Sequence, residues 1–321
     1  MKSSKIILIT IFVLSLSFVS CSKKNAEPEK INVIATIFPE YDWAKNIIGD
    51  SGKINLSLLV KNGVDLHSFQ PSTKDIVNIS TCDLFIYVGG ESDVWVKDVL
   101  KNAVNKKMKV INLMETLQDY VAEEEFVEGM QSEEDCEESE EVEYDEHVWL
   151  SLLNAEIISK EICKALCELD SSSAEKYTLN YENYSKQLES LHKKYTEELK
   201  NTDFDTAVFC DRFPFRYLFD SYNLKYYAAF SGCSAETEAS FETMSFLTNK
   251  INELKVPAVF TIETSDQKLA KTVIANSLNK NCKILILDSL QNCSLEESEK
   301  GKTYINTMEQ NLNALKTALN K

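Results

Sequence analysis

The sequence predicts an α/β protein of two lobes, each a parallel sheet flanked by helices, joined by one long inter-lobe helix. Three observations predict it: two sets of four short apolar runs, helix-length segments between most of those runs, and an unbroken helical repeat between the sets. Alternation of this kind is the pattern of βαβ units and parallel sheets.

The chain opens with Lys2 and Lys5, an uncharged and largely apolar run from Ile6 to Phe18, and then Val19-Ser20-Cys21. A basic start, a short apolar core and small residues before a cleavage point describe a secretory signal over residues 1–20, too short to span a bilayer. A cysteine directly after the small residue predicts lipid modification at Cys21; an ordinary cleaved signal is the alternative. Residues 21–30 then read as a lipidated polar tether. The protein is expected outside the cytoplasm, in the periplasm or at the cell surface, attached to the membrane through its lipid.

About 290 residues remain, enough for two lobes with a core each. The N-terminal lobe is assigned to 31–170, with strands over Ile31–Thr36, Ile54–Val60, Asp83–Val88 and Met108–Asn112. The C-terminal lobe is assigned to 202–321, with strands over Thr206–Cys210, Lys225–Phe230, Pro257–Ile262 and Cys282–Leu287. Between them, within 171–201, Tyr177, Tyr181, Tyr184, Leu188, Leu191, Tyr195 and Leu199 recur at steps of four and three, the period of a helix face. No Gly or Pro interrupts it, and Ser171-Ser172-Ser173 offers N-caps. A helix of roughly 27 residues is about 40 Å long, enough for a stiff strut between the lobes. His192 falls off this stripe and reads as a solvated helix residue.

A formal charge of −17 argues against nucleic-acid binding and against a polybasic membrane patch. Much of the acid lies in 123–146, including Glu123-Glu124-Glu125, Glu133-Glu134-Asp135 and Glu137-Glu138. Self-repelling charge with few apolar anchors predicts a mobile loop, either merely solvated or gathering cations beside a site. Nine cysteines are many for an exported protein, but their spacing is not that of a dense disulfide framework. Cys163 and Cys167 read as buried small residues, and Cys233 with Cys293 as a possible bridge.

The chemistry rests on the histidines. The chain has three, and two lie in near-parallel Asp-x-His contexts: Val64-Asp65-Leu66-His67-Ser68-Phe69-Gln70-Pro71-Ser72 and Asp145-Glu146-His147-Val148-Trp149-Leu150-Ser151. Open parallel sheets bind ligands beyond the carboxyl ends of their strands. His67 follows the strand that ends near Val60, and His147 opens the helix near Trp149. Cys210 ends one strand of the second set and Asp288 another, so each lobe offers two donors to one ion in the cleft. His67, His147, Cys210 and Asp288 form a nitrogen, sulfur and oxygen set suited to tetrahedral zinc. The thiolate disfavours manganese, the alternative metal. Glu263 is a rival ligand to Asp288 or a partner that supports the ligands from behind. Asp65, Asp145 and Asp211 are placed to accept hydrogen bonds from metal-bound rings.

These two histidine motifs resemble those of the metal-specific solute-binding proteins of bacterial ABC importers. The resemblance extends over most of the mature chain, through Ala35-Thr36-Ile37-Phe38-Pro39, Cys82–Gly90, Phe260-Thr261-Ile262-Glu263 and Leu287-Asp288-Ser289-Leu290. It implies two α/β lobes joined by one long helix, and delivery of zinc or manganese to a membrane permease driven by an ATPase. Several positions depart from the pattern. Leu66 and Glu146 stand where the family usually has proline, and Cys210 stands where the third ligand is usually His in zinc binders or Glu in manganese binders. The acidic segment occupies the place of a His-rich loop. The resulting expectation is a monomeric, high-affinity zinc-binding lipoprotein that captures metal in the inter-lobe cleft and hands it to an ABC permease. A manganese binder, or a surface adhesin with a vestigial site, is the alternative. A zinc hydrolase is disfavoured, because the chain has no His-Glu-x-x-His run and four protein ligands leave no position for water.

Overall fold

The computed structural model describes residues 30–61, 64–131, 143–234 and 238–321. The expected export signal, Cys21 and nearly all of the expected tether lie outside the described residues, as do residues 132–142 of the acidic segment. The first half runs β1 (Ile31–Ala35), α1 (Phe38–Ile48), β2 (Ile54–Leu58), α2 (Thr73–Thr81), β3 (Leu84–Tyr87), α3 (Val94–Lys101), β4 (Lys109–Asn112), α4 (Leu113–Leu117) and α5 (Leu152–Leu169). After α6 (Ala174–Leu199), the second half runs β5 (Thr206–Phe213), α7 (Arg216–Ser221), β6 (Lys225–Ser231), α8 (Phe241–Leu254), β7 (Ala258–Ile262), α9 (Lys268–Asn276), β8 (Lys283–Leu287), α10 (Leu295–Glu299) and α11 (Tyr304–Leu319). The sheets have equivalent orders, β2-β1-β3-β4 and β6-β5-β7-β8, and every pairing is parallel.

All eight expected strands form. One differs in a way that matters: β5 continues to Phe213, with its register to β6 shifting between Phe209 and Arg212. The inter-lobe helix forms over 26 residues and buries Tyr177, Tyr184, Leu188, Leu191, Tyr195 and Leu199 along one side, as the period requires. His192 is partly covered and its Nδ1 lies 2.9 Å from the Tyr222 hydroxyl, so it is a packed residue of the strut instead of a solvated one.

The lobes do not keep separate cores. A single buried cluster joins Val33, Leu84 and Ile86 of the first sheet to Leu188 and Tyr195 of α6 and to Phe209, Phe260 and Leu287 of the second sheet. Only the outer sheet faces form local clusters. Polar ties cross the same boundary: Trp149 Nε1 donates to the Ser289 carbonyl at 2.9 Å, and the Tyr304 hydroxyl donates to the Trp149 carbonyl at 2.7 Å. Both Trp149 and Tyr304 are wholly buried. Separating the lobes would expose both rings, each representing several kcal/mol of packing, so a wide hinge opening is disfavoured.

The acidic segment is packed at both ends, contrary to the expectation of a free loop. Glu123 and Tyr144 form an antiparallel bridge, and Gln131 a parallel one with Phe230 of β6. Glu125 takes an ion pair from Arg216 at 2.7 Å and a hydrogen bond from the Tyr226 hydroxyl at 3.0 Å. The Tyr217 hydroxyl accepts from the Ala122 N–H and donates to the Asp145 carbonyl. Residues 122–131 therefore form a strap from the first lobe onto the second. Composition alone hid this, because the partners that satisfy its charges lie about a hundred residues away in sequence.

Candidate metal centre

His67 sits in a 3-10 turn, Leu66–Ser68, whose entry is capped by Asp65: Oδ1 accepts from the His67 N–H at 3.1 Å. Ser72 begins α2 with a reciprocal cap to Asp75, which fixes the loop from its far end. His147 precedes the 3-10 turn Val148–Leu150. Asp145 Oδ1 accepts from both the His147 backbone N–H and its ring Nδ1, each at 2.8 Å. The Asp-x-His contexts thus use the same device, a carboxylate two residues upstream that fixes the backbone at the imidazole.

The rings meet at their Nε2 atoms, 3.4 Å apart. A carboxylate only accepts, so the Asp145 contact places the proton of His147 on Nδ1 and leaves Nε2 a bare lone pair. His67 Nδ1 lies 2.6 Å from the Ser92 hydroxyl. When Nδ1 is the protonated nitrogen of this pair and the hydroxyl accepts, His67 Nε2 is free as well. Burial, and secondarily the neighbouring His147, push His67 down to about 4, so at neutral pH its ring is uncharged. Two lone pairs facing each other across a buried gap repel unless a cation lies between them. Two nitrogens on a tetrahedral zinc, at its usual bond length, are about 3.3 Å apart.

The third candidate donor is Cys233. Its sulfur and the donor nitrogens of His67 and His147 all lie within 4.8 Å of one another, the one such grouping among the described residues. Cys233 follows β6 in the turn Gly232-Cys233-Ser234. Gly232 permits the approach: a Cβ there would stand 2.9 Å from His147 Cε1 and 3.0 Å from the Phe213 carbonyl. Burial first, then the charges of Glu124 and Asp145, push the Cys233 thiol well up. Only an arriving cation makes the thiolate favourable there. All seven described cysteines are free, so the expected bridge between Cys233 and Cys293 is absent. Cys293 is buried in the main core.

The other expected ligands are not brought to the histidines. Successive side chains of a strand point to opposite faces, and β5 obeys this: Ala207 and Phe209 enter the shared core while Val208 and Cys210 enter the outer cluster with Leu247, Val259 and Cys282. Because the strand runs past Cys210, the thiol lies on the sheet face instead of at its rim, and burial pushes it well up. Asp288 is spent on Lys302, 2.8 Å away, and on the Leu290 N–H. Glu263 accepts from the Ser289 N–H and hydroxyl at 2.9 and 2.7 Å. Asp211 accepts from the Arg212 N–H. Asp65 Oδ2 takes the Arg212 guanidinium at 2.7 Å, so of the three acids expected behind the rings Asp145 alone touches one through its side chain.

A family model described as zinc-uptake complex component A, periplasmic, matches residues 33–318. The zinc-binding lipoprotein AdcA of Streptococcus pneumoniae is 31% identical over 316 residues, covering 97% of this chain and 60% of that protein. The chain therefore spans about three fifths of the AdcA length. The high-affinity zinc uptake system protein ZnuA of Bacillus subtilis is 29% identical over 299 residues, 92% of this chain and 89% of that one. The crystal structure of the Zn(II)-bound ZnuA-like domain of S. pneumoniae AdcA superposes with a TM-score of 0.71 at 28% identity, covering 91% of this chain and all of that domain. The metal-dependent lipoprotein YcdH of B. subtilis superposes at 0.72 with 28% identity, covering 90% and 100%. Coverage from Val33 to Ala318 by one family model, on a fold of two matched parallel sheets and one long helix, makes the chain a member of the family of periplasmic zinc-uptake components, solute-binding proteins of ABC importers.

Proposed function

We propose that this protein captures zinc between its lobes through His67, His147 and Cys233 and delivers it to an ABC permease. The observation that carries the reading is the pair of Nε2 atoms 3.4 Å apart with a cysteine sulfur in the same group. Imidazole and thiolate suit zinc, and the sulfur weighs against manganese. Asp145 fixes the His147 tautomer and Ser92 holds the His67 ring in place before metal arrives, which reduces the ordering cost of binding. The shared core and the Trp149 and Tyr304 ties support a site that fills with small local shifts. The role is one of carriage without catalysis, by a monomer held outside the cytoplasm through a lipid on Cys21. The lobes are 31–170 and 202–321, with 171–201 as the link.

The test is competitive metal titration of the reduced, signal-free protein against a zinc chelator, with elemental analysis of the copurified metal. One tightly bound zinc, lost in His67→Ala and in Cys233→Ala, is expected. A preference for manganese, or undiminished zinc binding in Cys233→Ala, would overturn the assignment.

A further inference from the structure

Two imidazoles and one thiolate leave a tetrahedral zinc one donor short, and the nearby carboxylates are mostly committed. Asp145 holds the His147 ring and Asp65 holds Arg212. Glu146 faces the wrong edge of His67: Oε1 accepts from the Ser92 N–H, and Oε2, although also buried without a hydrogen-bond partner, lies 3.9 Å from Nδ1, not Nε2. Glu124, on the acidic strap, is differently placed. Its backbone N–H is fixed to the Glu143 carbonyl at 2.9 Å, beside the bridge from Glu123 to Tyr144. Burial and Asp145 raise, and Ser231 and His147 lower, the proton affinity of its carboxyl, which in turn raises that of the Cys233 thiol. Its Oε1 is buried without a hydrogen-bond partner. An acceptor in that position costs stability, and a cation would offset the cost.

We infer that Glu124 is the fourth zinc ligand, supplied by the strap through Oε1. This rests on His67, His147 and Cys233 being the zinc site. The carboxylate lies outside the group within 4.8 Å, so it closes on the ion by turning about its own side-chain bonds while the strap backbone stays pinned. The acidic segment then contributes one particular ligand instead of a diffuse negative field. The set becomes two nitrogens, one sulfur and one oxygen, with both C-terminal-lobe donors anticipated from sequence replaced by Cys233 and Glu124.

Cobalt(II) substitution tests this in the reduced, signal-free protein, with Glu124→Gln compared to Glu123→Gln. The second variant removes the same charge one residue away. Wild type is expected to show sulfur-to-cobalt charge transfer and intense tetrahedral ligand-field absorption. Glu124→Gln should keep the charge-transfer band, change the ligand-field bands, and weaken zinc at least about tenfold, with Glu123→Gln unchanged in all three. The metal-free Glu124→Gln protein should melt no lower than wild type, because it removes a poorly satisfied buried charge. Wild-type spectra and affinity in Glu124→Gln would overturn the assignment, as would equal weakening in both variants. Absence of the sulfur band from wild type would instead sink the His67, His147 and Cys233 site itself, and Glu124 with it.

Discussion

On the N-terminal side of the cleft each imidazole is held from behind. Asp145 grips both the backbone and ring of His147, while Asp65 and Ser92 do the same for His67. On the C-terminal side the sheet ends in residues already committed to the fold: Asp288 to Lys302, Glu263 to Ser289, and Cys210 to an apolar cluster. What that side offers is one sulfur in the turn after β6. On the proposed ligand set, a strand-end position is not sufficient for ligation. A donor must also be left uncommitted, and in this chain that is decided by partners far away in sequence.

Replacing donors breaks the comparison most severely. His147→Ala and Cys233→Ala are each expected to lower zinc affinity by more than about a hundredfold, beyond the range for groups that only support a ligand, as read by chelator competition. Asp145→Asn sharpens it, because an amide can hold the wrong tautomer of His147; a loss of about 10- to 100-fold is expected with the thermal midpoint of the metal-free protein little changed. Cys210→Ser should do the reverse. A hydroxyl in that apolar cluster costs about 1–3 kcal/mol of stability, measured by denaturant unfolding, while zinc affinity stays as in wild type.

The smallest effect concerns Asp93, which lies behind the N-terminal half of the site. Its Oδ2 accepts from the Gly89 N–H at 3.0 Å, and burial above all raises its pKa to about 7 from 3.8. A folded-state value above the unfolded one means the native state binds more protons between those limits, so stability at this position falls as pH rises from about 4 to about 7. Asp93→Asn removes that dependence. Its advantage over wild type should be absent near pH 4 and on the order of 1 kcal/mol above pH 7, after relaxation and water entry soften the burial effect. Unfolding curves of the metal-free proteins across that range check both sign and window.

Much of this was legible in the sequence. The eight apolar runs and the step-of-four-and-three stripe on α6 carry their structure locally, and the repeated Asp-x-His context singles out His67 and His147. Cys210 misled because its strand was ended at that residue, when Arg212 and Phe213 still belong to β5. The alternation of Ala207 and Phe209 against Val208 and Cys210 already carried the correct parity. Cys233 was hidden in an ordinary-looking turn, although the rule applied to the ends of β5 and β8 applies equally to β6. The engagement of Asp288 by Lys302, of Asp65 by Arg212 and of the strap by Arg216 and Tyr226 depends on tertiary contacts with no local signature.

The central claim is that sulfur reaches the metal from the turn after β6. X-ray absorption at the zinc edge of the loaded protein, compared between Cys233→Ser and Cys210→Ser, tests it most directly. A sulfur shell at about 2.3 Å in wild type and in Cys210→Ser, replaced by nitrogen and oxygen alone in Cys233→Ser, is the predicted result. Retention of sulfur in Cys233→Ser, or its loss in Cys210→Ser, would contradict the account.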